Sequence, residues 1–430
     1  MKRSGCLTVI RLIVIVLFSY TTVFSQSLYK LKESKTGIDN PESIITIKDN
    51  FKHTNIKHII KTNSKLLFLD DSMNITQERK ISKARIITSK KNSYFVIDEK
   101  KQDLQKDITL IDCSNNEYWK KTFKHNEEDV ITFHPTDYNG NVLILNHQNM
   151  ILTTYSRKGN VINKHQLFGD FSKNPDKRVF VDMSESGVYC VILAEKRFSL
   201  ENGKHLIRSG KKDTSDGAKL SFEDKLINMK RTDGEPQLFL FDFNGALLKK
   251  MNTEEERPIN LFINDDGQYI VYIVEDIDSG DLKYHFALLN NKLETIFKKI
   301  ISYYPVDILF LDDQLVIAAY DATVDKNFLV AISIVDGNEI WKEELENPTI
   351  SISGSNNSIE IISQSIQTID KNAKTSVLFF DFSGKRIDFL EIGELQYIPK
   401  IKSVKNITPY INTDYFVKEN EIVKLINTKE

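Results

Sequence analysis

One phrase recurs along this chain and limits what it can fold into. An apolar strand leads into a short turn rich in Gly, Asn or Ser, and a second strand begins three residues later. It reads LLFLDDSMNI, ITLIDCSNNEYW, ILTTYSRKGNVI, LFLFDFNGALL, FALLNNKLETI, VAISIVDGNEIW and VLFFDFSGKRI. With Ser72, Asn115, Gly159, Gly245, Asn290, Gly337 and Gly384 as the turn residues, the spacing is about 45 residues, with one gap of about twice that. Gly and Asn tolerate the positive φ of tight hairpin turns, which accounts for the choice of residue. The two tryptophans fall in the same phrase, in SNNEYWK (Trp119) and DGNEIWK (Trp341). Both are expected to pack between adjacent repeats, where so large a side chain is best buried.

Each hairpin is preceded by two further short apolar runs, such as ARIITS with SYFVIDE, RVFVDM with VYCVILAE, and VDILFL with QLVIAAY. Four strands in about 45 residues is the size of a β-propeller blade. No helical periodicity interrupts the series, so the expected fold is all-β. Six complete units lie between about Ala84 and Ile392. A seventh is expected from strands of both termini, HIIKTNSKLLFLDDSMNITQERKI and IKSVKNITPYINTDYFVKENEIVKLI, whose union closes the ring and removes exposed edges. Seven four-stranded blades is the count. Eight is the alternative, because Gly203 in ENGKHL stands midway between Gly159 and Gly245.

The stretch INDDGQYIVYIVED (Ile263 to Asp276) resembles the S-P-D-G-x-x-I-A-F pattern of TolB-type, WD40-like propellers, and FHPTDYNGNVLIL and MSESGVYCVIL are looser copies. AISIVDGNEIW is similar to the A-x-D-x-x-T-G-x-x-x-W repeat of quinoprotein-like (PQQ-repeat-like) propellers, with Ser333 at its Asp and Asp336 at its Thr. The resemblance covers roughly residues 58–430 and implies architecture, since both patterns describe turns and blade packing. Quinone-dependent propellers carry further cofactor residues such as a vicinal Cys pair, which is missing here; no cofactor is expected.

The chain opens MKRSGCLTVIRLIVIVLFSYTTVFSQS. Lys2, Arg3 and Arg11, the apolar run Leu12 to Phe18 and the site Val23-Phe24-Ser25 have the layout of a secretory signal peptide, with Gln26 first in the mature protein. The expected organisation is a signal peptide at 1–25, a segment leading into the ring at 26–57, and the propeller at 58–430 with a polar insertion at about 199–236. A secreted or periplasmic location follows, with no membrane span after cleavage. Cys6 lies ahead of the apolar run, so no lipid anchor is expected. Cys113 and Cys190 sit in apolar strands, where Cys serves as a small buried hydrophobe, although export permits a disulfide.

Lys and Arg number 58 against 60 Asp and Glu, giving a net charge of -2 with little segregation along the chain. Nucleic-acid binders concentrate positive charge, so nucleic acid is set aside. Ser199 to Pro236 is rich in Lys, Asp, Gly and Ser and reads either as a binding loop or as a surface excursion. Asp276, Asp278 and Asp281 break the calcium-loop order and read as a solvated turn. The eight histidines show no zinc-ligand spacing, and no nucleophile elbow or phosphate loop occurs. No catalytic, binding or metal residue is singled out. The expected function is a non-enzymatic protein-interaction module of the cell envelope or outside the cell, whose partner is another protein there. A hydrolase or lyase at the central channel and a carbohydrate-binding propeller are the alternatives.

Overall fold

The computed structural model describes residues 29–35, 38, 41–47, 55–101, 105–124, 131–147, 149–168, 179–194, 236–253, 257–276, 283–354, 358–365, 374–394, 415–418 and 421–427. Seven four-stranded antiparallel sheets follow one another at residues 41–80, 84–124, 131–166, 179–252, 257–301, 304–345 and 349–394. They are blades 1 to 7 of a β-propeller, and in each the strands, a to d, lie in sequence order. The first strands of neighbouring blades lie side by side, so strands a ring the centre and strands d form the rim.

This placement explains the sequence pattern. Strands b and c are covered by blades on both faces and are nearly continuous apolar runs, as in Gln314–Asp321 and Tyr94–Lys100. Strands d meet water at their edge and read as mixed, as in Glu117–Lys124. The core lies between blades: Val271 and Phe286 of blade 5 pack against Leu315 and Ile317 of blade 6, all buried. Each such side chain stabilises the ring by about 1.5–3 kcal/mol on leaving water.

The seven blades are as expected; the strands that build blade 1 are not. Residues 41–80 supply it from the N-terminal side alone, with Pro41–Thr46 as its inner strand. That strand starts with Pro and bulges between Pro41 and Ser43, which suits an edge at the centre of the ring and hides it from a search for regular alternation. The two ends of the chain do meet, in a separate three-stranded sheet. Tyr29–Lys35 pairs with Glu421–Asn427, which pairs with Tyr415–Lys418. This sheet lies beside Pro41–Thr46 of blade 1 and Arg386–Glu394 of blade 7.

In blade 4, Ala194 pairs with Gln237, so residues 195–235 connect strands b and c of one sheet. Gly203, the marker of an eighth blade, lies outside the described residues, as do residues 1–25, where a signal peptide is expected, and Asp278 and Asp281. Cys113 and Cys190 are buried free thiols. Burial, reinforced by Asp112, pushes the Cys113 thiol up to about 12.

Candidate functional site at the hairpin-turn face

In a four-stranded meander the a–b and c–d turns emerge on one face and the b–c connections on the other. Most of the c–d turns share one device. In five of the seven blades the side chain at the end of strand c accepts backbone N–H groups two and four residues on, among them Asp112 from Ser114 and Asn116, Asp242 from Asn244 and Ala246, and Asp381 from Ser383 and Lys385, whereas Ser156 and Ser333 of blades 3 and 6 each accept only one. The residue of positive φ is Met73, Asn115, Gly159, Gly245, Leu293, Gly337 or Gly384. Five match the expected turn residues, while Ser72 and Asn290 give way to Met73 and Leu293. Asn290 instead fills the accepting position, bonding Lys292 and Glu294 N–H. Met73 and Leu293 are each 6% exposed, so burial of the side chain offsets about 1–2 kcal/mol of left-handed strain.

These turns lock each blade to the one before. A Cβ at Gly159 would stand 3.1 Å from Trp119, and one at Gly384 would stand 2.5 Å from Trp341, so both tryptophans pack between blades. Trp341 Nε1 also donates to Phe382 O at 3.1 Å.

Apolar side chains project from this face. Tyr138, in the a–b turn of blade 3, is 63% exposed, and its ring lies 4.7 Å from that of half-buried Phe243 in the c–d turn of blade 4. Asn141 Nδ2 fixes the pair by donating to Phe243 O and Asn244 Oδ1 at 3.2 Å each. Val335 and Phe382, 80% and 38% exposed, stand on the turns of blades 6 and 7.

Inside the ring at the same end, charges from several blades meet. Lys90, in the a–b turn of blade 2, reaches past blade 3 and pairs with Asp182 Oδ1 of blade 4 at 2.7 Å. Its turn is held by Asp137 of blade 3, which accepts Lys91 N–H at 2.9 Å and the Ser89 hydroxyl. Burial lowers the Lys90 ammonium, but Asp182, with Asp265 and Asp307 behind it, outweighs that and raises it above the ordinary lysine value. Asp182 and Asp307 also tie blades together: Asp182 Oδ2 accepts Ile263 N–H, and Asp307 accepts Ile352 N–H at 3.1 Å. Burial pushes Asp307 up to about 6, against the backbone donors and Lys90. His134 and His147 each lie 3.0 Å from Thr132 Oγ1. Burial, then the charges of His147, Arg85 and Lys90, pull His134 down to about 3 and keep it neutral.

None of these residues was singled out in the sequence. Lys90, Asp182 and Asp307 come from three non-adjacent blades, and no spacing could join them. Tyr138 does lie within FHPTDYNGNVLIL, and a large aromatic in a polar turn was a readable signal. Among the described residues, no group of three or more His, Cys, Asp or Glu is placed to hold a metal ion.

No family model matches the chain, and no curated protein does. Solved structures do. The C-terminal WD40 domain of Sif2 is 10% identical with a TM-score of 0.51, over 92% of this chain and 98% of that one. BamB from Moraxella catarrhalis is 10% identical with a TM-score of 0.49, over 92% of this chain and 99% of that one. The chain is thus a β-propeller whose structural neighbours are of the WD40 and BamB types. At such low identity the likeness defines the fold alone.

Proposed function

We infer that the protein is exported and works as a non-enzymatic protein-binding propeller, in the cell envelope or outside the cell, docking another envelope or extracellular protein on the hairpin-turn face. The observation that carries this reading is the exposed Tyr138 braced on Phe243, with Val335 and Phe382 on the same face. Apolar groups raised on a rigid scaffold and rimmed by polar turns are the makings of a binding hot spot. The ionisable groups described above inside the ring are engaged with one another, with backbone N–H groups or with the Thr132 hydroxyl, which supports a structural role for them.

The test compares two variants with the parent in extracts of the producing cells. Tyr138→Ser combined with Phe243→Ser should lose a partner that the parent and Lys90→Met both retain. Loss with Lys90→Met and retention with the aromatic double variant would move the function to the channel, in line with the raised Asp307 carboxyl there. For export, the intact mass of the protein from those cells should correspond to a chain beginning at Gln26.

A further inference from the structure

Two of the seven c–d turns carry a phenylalanine after the strand-ending Asp: Asp-Phe-Asn-Gly in blade 4 and Asp-Phe-Ser-Gly in blade 7. They are built alike. Asp242 and Asp381 each accept two N–H groups of their turn, and Gly245 and Gly384 each take positive φ. In each, an amide side chain from the a–b turn of the preceding blade holds the phenylalanine carbonyl. Asn141 Nδ2 donates to Phe243 O at 3.2 Å, and Gln314 Nε2 donates to Phe382 O at 3.0 Å. The turn geometry does not require the ring, since blades 1, 2, 3 and 5 place Asp71, Cys113, Arg157 and Asn291 there.

The two joints differ in what covers the ring. The a–b turn of blade 3 closes from Thr136 N to Asn141 O and carries Tyr138, whose ring lies 4.7 Å from that of Phe243. The a–b turn of blade 6 closes from Leu311 N to Gln314 O and holds only Asp312 and Asp313. Tyr138 has no counterpart there, and Phe382, 38% exposed, makes no ring contact among the described residues. Asp312 and Asp313 are exposed, and their carboxylates take part in no hydrogen bond or ion pair among the described residues. Lys385 of the blade 7 turn is also exposed, and its charge acts on Asp381.

A lone exposed phenylalanine needs no explanation. One whose twin, on the same backbone and with its carbonyl held in the same way, is covered by a tyrosine calls for one. We propose that a segment of the docked partner completes the Phe382 joint, laying an aromatic side chain on Phe382 as Tyr138 lies on Phe243, with a neighbouring Lys or Arg against Asp312 and Asp313. The inference rests on docking at this face and adds the chemistry of what docks. An aromatic pair is more favourable than its area alone, and more so on a rigid mount. Phe382 has such a mount, because Trp341 Nε1 also donates to its carbonyl at 3.1 Å. Two adjacent carboxylates outside any ion pair favour a basic flank and reject an acidic one. The chain thus fills one joint with its own tyrosine and leaves the other for a partner's ring.

The experiment selects random dodecapeptides displayed on phage for binding to the full chain and discards those that also bind Phe382→Ser. Retained peptides should carry an aromatic residue next to Lys or Arg. Their Kd should rise roughly threefold with Asp312→Asn plus Asp313→Asn. It should rise about tenfold or more when Asp312-Asp313 is replaced by the Asp-Tyr-Asn-Gly of blade 3, which covers Phe382 from within the chain. That graft keeps Phe382, and a melting temperature no lower than the parent's shows that it folds. Tyr138→Ser with Phe243→Ser should leave the peptides bound, so failure of docking at Tyr138 and failure at Phe382 are read separately. No retained peptide, peptides without an aromatic residue, a folded graft that still binds, or peptides lost with the Tyr138 and Phe243 changes would each overturn the proposal.

Discussion

Trp119 and Trp341 occupy equivalent positions in blades 2 and 6, each under the left-handed turn residue of the next blade, yet the two joints are finished differently. Trp119 is 7% exposed and its Nε1 has no hydrogen-bond partner. Trp341 is half-buried and its Nε1 bonds Phe382 O. The blade 3 turn is held instead by Arg157, which lies 5.1 Å from the Tyr118 ring centre and donates to Tyr94 Oη at 3.3 Å. The repeated phrase places the indole, while the neighbouring turn decides whether the indole N–H is satisfied. Packing is thus a property of the repeat, and polar satisfaction is a property of the pair of blades.

The comparison can be broken most forcefully by truncation. Trp119→Ala should cost about 3–5 kcal/mol and Trp341→Ala roughly 1 kcal/mol less, because more of Trp341 is already in water. Urea unfolding measures both, and equal losses would end the distinction. Next come the turns: Gly384→Val and Gly159→Val should each cost roughly 2–4 kcal/mol through positive φ and contact with the indole, with Gly384 the larger. If either variant unfolds like the parent, the turns are not equivalent.

A contrast between two aspartates gives a somewhat smaller effect. Asp307 has an ordinary value of 3.8 in the unfolded chain and about 6 when folded. Between these values the folded state holds the extra proton, so stability falls as pH rises from about 4 to about 6 and is then lower by on the order of 2–3 kcal/mol. Asp307→Asn should flatten that slope. Asp107 is the reverse case: burial would raise it, but bonds from Lys101, Thr122 and Lys120 outweigh burial and hold it at about 2. Its contribution is present above about 4 and is lost as pH falls toward 2. The smallest effect returns to the indoles. Trp341→Phe should cost about 1 kcal/mol more than Trp119→Phe, since only the former breaks a hydrogen bond.

The blade architecture was legible because strands b and c are buried on both faces and c–d turns need particular residues. The interleaved tryptophans were legible for the same reason. Pro41–Thr46 was not, because an inner strand beginning with Pro and a bulge carries little periodicity. Met73 and Leu293 escaped because burial holds them in a backbone region their own chemistry disfavours, Met73 among Ile38 and residues of its own blade and Leu293 against blade 4. The Lys90–Asp182 pair escaped for a deeper reason: it joins residues of different blades, and only closure of the ring brings them together.

The most direct test of the binding reading is a photo-crosslinking side chain placed at position 138 and, separately, at position 324 in the producing cells. Val324 is 52% exposed on the b–c connection of blade 6, on the opposite face. The account predicts one protein adduct from position 138 and none from position 324. An adduct from 324 alone, or from neither position, would contradict docking on the hairpin-turn face.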